Sequence, residues 1–239
     1  MENKNIILLK KRCRTTFAEQ CATYEEYSRF DVTSGNRNPV VVQDLSPLYI
    51  GPAVASDGLV ANTFENLWQY SKVYPKIYDA NGKIVAGVGA DGEPTAAFWD
   101  WRRRFFAQEG KGDRHPAFPS TVRHRDCRYT VYYENGKWQH LGYVEARKKI
   151  YIPEYAKLVV GTATYKELAA RVAAGEKIAL VDFDAWNYYG KDLTATTTIK
   201  EMVDNPAYKV GHSYVIKMLL QGDIEVADGK VIDHIDVLK

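Results

Sequence analysis

The stretch Asn62-Thr-Phe-Glu-Asn-Leu-Trp-Gln-Tyr-Ser-Lys-Val-Tyr74 is the clearest periodic signal in the first half of the chain. Asn62 is a good N-cap residue, Glu65 follows three positions later as in a capping box, and Pro75 stops the run. At about 100° per residue, Phe64, Leu67, Trp68 and Tyr74 fall on one broad face, with Glu65, Gln69 and Lys72 opposite. The spacing predicts a short amphipathic helix over 62–74. Upstream, apolar runs suggest strands at 6–9, 30–32 and 40–42, with a turn-rich loop at 33–39. Downstream, residues 96–108 read as an aromatic and basic helix, and Gly110, Gly112, Pro116 and Pro119 as an open loop. Residues 129–143 read as two strands about an Asn-Gly turn. A helix is expected from near Glu145, broken or restarted by Pro153.

The second half continues the alternation. Thr164 and Glu167 suggest a capping box for a helix ended by Gly175, residues 178–183 a buried strand, and Thr198 with Glu201 a second capped helix. Residues 214–220 form an apolar helix stopped by Gly222, and 224–237 a terminal hairpin. Helices and strands do not follow the βαβ period of a doubly wound sheet. The reading is therefore α+β, one domain over 1–239 with a mixed sheet and several short helices.

Composition agrees with a globular chain: 239 residues, 46% hydrophobic and 26% charged. No apolar run approaches the roughly 18 residues that cross a bilayer, and Glu2, Asn3 and Asn5 do not suit a signal peptide. A cytoplasmic protein with no membrane partner is expected. Three cysteines without a C-x-x-C pair argue against a disulfide framework or a structural zinc site. Arg123, Arg125 and Arg128 around Cys127 are of the kind that lowers a thiol pKa. The net charge is only +2. Yet residues 101–130 hold Arg102, Arg103, Arg104, Lys111, Arg114, Arg123, Arg125 and Arg128 against Glu109, Asp113 and Asp126. Such a segment suits a pyrophosphate with a stacked base or a nucleic-acid strand; the three acids and the small net charge favour the former.

Glycine-rich dinucleotide loops, Walker loops and the common zinc and serine-hydrolase motifs are absent. Asp182 and Asp184, two apart at a strand end, are placed to bind Mg²⁺ for phosphate chemistry or to cap the following turn. The segment Phe64-Glu-Asn-Leu-Trp-Gln-Tyr-Ser-Lys72 resembles the NADAR family of N-glycosidases that act on NAD- and ADP-ribose-related compounds. Trp99-Asp-Trp-Arg102 and Leu219-Leu-Gln-Gly-Asp223 are similar to two later stretches of that family, in the same order. The whole chain also resembles a group of phage and microbial proteins.

The resemblance implies hydrolysis of an N-linked ADP-ribose or related nucleoside phosphate, free or attached to nucleic acid, with no metal or cofactor. Cleaving such a bond builds oxocarbenium-like charge on the ribose. It calls for a fixed carboxylate, a group to orient water and an aromatic surface for the departing base. Glu65 and Asp223 would supply the acids and Trp101 the stacking surface. Lys72, Gln69, Trp68, Trp99 and Arg102 would bind substrate. A plainer reading makes Glu65 a helix cap, with Gln69 and Lys72 on a solvated face. A third makes the basic segment the contact of a non-catalytic nucleic-acid-binding protein.

Overall fold

The computed structural model describes residues 5–11, 14–183, 185 and 198–239. Cys13 and Asp184 lie outside the described residues. Backbone contacts gather into two compact units, Met1–Ser46 with Tyr155–Lys239, and Pro47–Glu154. The first unit begins with β1 (Ile6–Lys10), α1 (Arg14–Thr23), β2 (Ser28–Asp31) and α2 (Pro39–Leu45). Helix α2 replaces the strand expected at 40–42. The Asn38 side chain accepts the Val40 N–H, and Pro39 takes a first-turn position where its missing N–H costs nothing. Burial of Val41, Val42 and Leu45 then outweighs the β preference of three consecutive valines.

The central unit opens with β3 (Ala53–Val54) paired to β4 (Val60–Ala61), followed by α3 (Phe64–Tyr70). Thr63, not Asn62, is the cap: its side chain accepts the Asn66 N–H at 3.2 Å. Asn62 instead donates its side-chain amide to the Ala107 and Gln108 carbonyls. The helix is shorter than the expected 62–74, because Lys72–Val73 turns extended as β5. Next come the hairpin of β6 (Lys76–Tyr78) and β7 (Ile84–Ala86), α4 (Ala96–Phe106) and the hairpin of β8 (Tyr129–Glu134) and β9 (Lys137–Leu141). Asn135 and Gly136 both have positive φ at that turn, as a two-residue hairpin loop requires. β8 lies between β5 and β9.

The chain continues through α5 (Tyr143–Ala146), a wide π turn at Arg147–Tyr151 and α6 (Ile152–Val159). Pro153 does not break this run. It stands in the first turn of α6, where a missing N–H is tolerated, just after the π turn.

In the rest of the first unit, α7 (Ala163–Ala173) is capped by Thr162 rather than Thr164. Thr164 gives both its N–H and its hydroxyl to the Asp44 carboxylate on α2, at 2.9 and 2.8 Å. There follow β10 (Ile178–Asp182), α8 (Ile199–Asp204) with the expected Thr198–Glu201 capping box, and α9 (His212–Gln221) ending at left-handed Gly222. β11 (Ile224–Ala227) and β12 (Lys230–Asp233) form the terminal hairpin. β10 lies between β1 and β2, parallel to both, and is buried along its whole length, as the middle strand of a parallel sheet must be. The class is α+β. Among the described residues the strands divide into five small sheets, one parallel and four antiparallel, rather than one mixed sheet.

One buried ion pair ties two parts of the central unit. Arg102 on α4, 3% exposed, grips Asp57 in the β3–β4 loop with bonds of 2.8 and 2.9 Å, while its guanidinium lies 4.4 Å from the Phe106 ring centre. Burial pushes the Asp57 pKa up, but the Arg102 bond and charge, with backbone N–H groups, outweigh it and hold the carboxyl below its ordinary value. Asp57→Ala leaves a buried cation without its partner and is expected to cost about 3–5 kcal/mol in urea unfolding. The pair's contribution is full above the ordinary carboxylate range and disappears as pH falls through the lowered folded value. That acid-side slope should be missing in the variant.

Candidate functional site

Helix α3 is buried on every side, but not equally. Glu65, Trp68 and Gln69 retain 9, 8 and 7% of their accessible surface, whereas Phe64, Asn66, Leu67 and Tyr70 retain 1% or less. The residues with residual access are at i, i+3 and i+4, and half-buried Lys72, on β5 just past the helix, extends the row. Trp68 therefore belongs with the polar row and not with the apolar face to which periodicity assigns it. Nor is that row a solvated helix face.

The polar atoms of the row are joined in line. Lys72 Nζ donates to Gln69 Oε1 at 2.9 Å, and Gln69 Nε2 donates to Glu65 Oε1 at 2.7 Å. The Lys72 ammonium lies 4.2 Å from the Trp68 ring centre, a favourable cation–π distance. Burial lowers its pKa to about 8, although the charges of Glu65 and Cys127 act in the opposite sense. Cys127 is a plain cysteine just before β8 and not an activated thiol. Burial raises its pKa despite the nearby Lys72, and Sγ is placed to donate to the Tyr129 carbonyl at 3.4 Å. Desolvation outweighs the Lys72 charge and the backbone groups of Tyr129 and Val73.

Aromatic rings from the segment after β9 flank the row. Tyr151 meets Trp68 edge-on at 5.0 Å and Phe64 at 5.1 Å, and Tyr143, 46% exposed, lies 6.5 Å from Trp68. Neither tyrosine carries a motif in the sequence. On the other side, the loop after α4 seals the helix. Gly112 donates its N–H to the Leu48 carbonyl, and the Asp113 N–H goes to Asn66 Oδ1 at 3.0 Å. The Tyr70 hydroxyl donates to the Asp113 carboxylate, while its ring stacks on Phe105 at 4.4 Å. Burial and that carboxylate push the Tyr70 pKa far above its ordinary value, so it stays a neutral donor.

The other candidates are placed elsewhere. Trp101 is fully buried, its ring edge-on to Tyr70 and its indole N–H bonded to the Ala117 carbonyl at 3.0 Å. It is a core residue and has no face to offer a departing base. Trp99 packs on Trp138 at 4.4 Å, and Arg102 is engaged by Asp57, so that basic and aromatic stretch holds the fold together. Asp223 belongs to the other unit, directly after Gly222. Its N–H bonds the Met218 carbonyl, and its own carbonyl accepts from His234. Asp182 is buried, accepts the Phe183 N–H at 2.7 Å and lies 3.8 Å from His212 Nδ1.

A Cβ at Gly112 would collide with Thr63 Oγ1 and lie 3.0 Å from Glu65 Cβ, against the cap and first turn of α3. Gly112→Ala should therefore cost about 1–3 kcal/mol in denaturant unfolding. Gly110→Ala supplies a contrast: there no atom stands within 4 Å of the added Cβ, and only the positive φ resists it.

No family model, curated protein or solved structure matches this chain.

Proposed function

We propose that the chain hydrolyses the N-glycosidic bond of an N-linked ADP-ribose or a related nucleoside phosphate at the Glu65–Trp68–Gln69–Lys72 row. The observation that supports this reading is the selective access along α3. The side chains left in reach on the helix are a carboxylate, an indole and an amide, with the Lys72 amine beside them on β5, while the remainder of the helix is sealed. Glu65, steadied by the Gln69 amide, is suited to oppose positive charge on a ribose ring. Trp68 supplies the flat apolar surface assigned from sequence to Trp101. Lys72, when protonated, is the cation for a phosphate oxygen. Gln69 couples the two charged groups, so substrate phosphate at Lys72 and ribose at Glu65 are read by one hydrogen-bonded unit.

Glu65→Gln keeps the oxygen that accepts from Gln69 and removes the charge. Release of ADP-ribose from NAD⁺ and other N-linked ADP-ribosides, followed by chromatography, should fall by about 10²-fold or more, with the melting temperature little changed. Absence of cleavage across the substrate panel, or full activity in Glu65→Gln, overturns the reading.

The lowered Lys72 pKa gives a second measurement. A phosphate contact needs the ammonium, so activity should decline as pH rises through about 8. Lys72→Arg should carry the plateau to higher pH, because a guanidinium stays charged. The same shift affects folding. Between about 8 and the ordinary lysine value the unfolded chain binds this proton more readily than the folded one, so stability should rise with pH there and level out in Lys72→Met.

A further inference from the structure

Outside the α3 row, one pair of histidines among the described residues is joined ring to ring. His115 Nδ1 and His124 Nε2 are 2.8 Å apart, with ring centres at 5.1 Å and planes inclined by 51°. Both residues are exposed, and the Phe118 ring stands edge-on to His124 at 5.5 Å. We propose that this pair is a binding site for a divalent late transition-metal ion such as Zn²⁺ or Cu²⁺, held by His115 Nδ1 and His124 Nε2 with water completing the shell.

The spacing supports the assignment. Two imidazole nitrogens each about 2.0–2.1 Å from a metal lie about 2.9 Å apart at a right angle and about 3.3 Å apart in a tetrahedron. A separation of 2.8 Å is close to the first, but with ring centres 5.1 Å apart the rings stand end to end, so each turns by roughly 35–45° to aim both lone pairs at one ion. Imidazole pairs favour zinc, copper and nickel over magnesium or calcium. In the hydrogen-bonded pair one nitrogen donates and the other accepts. A metal needs both lone pairs, so the shared proton moves to the donor ring's other nitrogen and the neutral pair binds without net proton release. No third His, Cys, Asp or Glu among the described residues joins the pair, so the protein supplies two ligands.

The site closes a strap. The chain segment before His115 is fixed to the Leu48 carbonyl through Gly112 and to α3 through Asp113, and the segment after His124 is fixed to β5 through the Arg128 N–H on the Val73 carbonyl. A metal bridging the two histidines replaces one hydrogen bond with two coordinate bonds at the point where this loop folds back on itself. The proposal does not rest on the hydrolase reading, and its test does not use activity.

Isothermal titration of the full chain with Zn²⁺ and with Mg²⁺, alongside His115→Gln and His124→Gln, decides it. Expected are binding of Zn²⁺ and not of Mg²⁺, and a loss of more than about tenfold in Zn²⁺ affinity in each variant, as even indirect partners of a metal contribute that much. With Cu²⁺ the electron paramagnetic resonance spectrum should show coupling to two imidazole nitrogens and lose one in either variant. Zn²⁺ binding of equal strength in the wild type and both variants would assign the metal to other groups, such as His140 with Glu93, and overturn the proposal. A wild-type chain that binds no Zn²⁺ overturns it as well.

Discussion

A seven-residue helix cannot be held by its own hydrogen bonds, since nucleation is unfavourable and isolated helices shorter than about 12–15 residues are marginal in water. Helix α3 therefore exists because its surroundings hold it. The Thr63 side chain satisfies one N–H at its start, the Ile50 and Pro47 carbonyls take the Phe64 and Glu65 N–H groups, and Asn66 anchors the loop at Asp113. Tyr70, at its end, is fastened to the same aspartate. The loop after α4 is thus part of the helix's support, and Gly112 is glycine because the cap leaves no room for a side chain.

The same enclosure sets the electrostatics. In water, Gln69 and Lys72 would be ordinary members of a helix face and their mutual bond would contribute little. Packed beside Trp68 and the tyrosines that follow β9, the bond orders the side chains, and desolvation brings Lys72 close to the point of losing its proton. Cys127 responds to the same burial in the other direction, because a thiol is neutral when protonated and an amine when deprotonated.

The fold class and most elements were legible from capping residues, glycine stops and apolar runs. Thr198 with Glu201, the Asn135–Gly136 turn and the stop at Gly222 stand where their chemistry puts them. Caps were less secure where two candidates adjoin. Asn62 and Thr63 are both good N-caps, and the tie was decided by the Ala107 and Gln108 carbonyls, which recruit Asn62 from more than forty residues away. Thr164 was drawn off its expected role by Asp44 in the same manner. In the row, periodicity put Glu65 beside Gln69, whereas Lys72 lies past the helix on β5 and joins them through its bond to Gln69. Periodicity could not show that they are covered, because the cover comes from Tyr143 on α5, Tyr151 in the π turn and the loop after α4, whose packing on α3 leaves no mark in the pattern of residues 62–74. Trp101 shows the converse: a tryptophan beside arginines suggests a stacking surface, and only the packing of Tyr70, Phe98 and Phe105 around it shows that it is core.

The placement of β10 between β1 and β2 has a bearing on how the chain matures during synthesis. Among the described residues β1 and β2 form no pairs with each other, and each finds its ladder partner in residues 178–182. All strand pairings of the segment Pro47–Glu154, by contrast, are internal to it. At about 5–20 residues per second, the ribosome delivers the end of that segment a few seconds before the middle strand of the parallel sheet. β1 and β2, made before that segment, are thus paired late, and until then the backbone N–H and C=O groups of Ile6–Lys10 and Ser28–Asp31 lack the partner strand they have in the folded sheet.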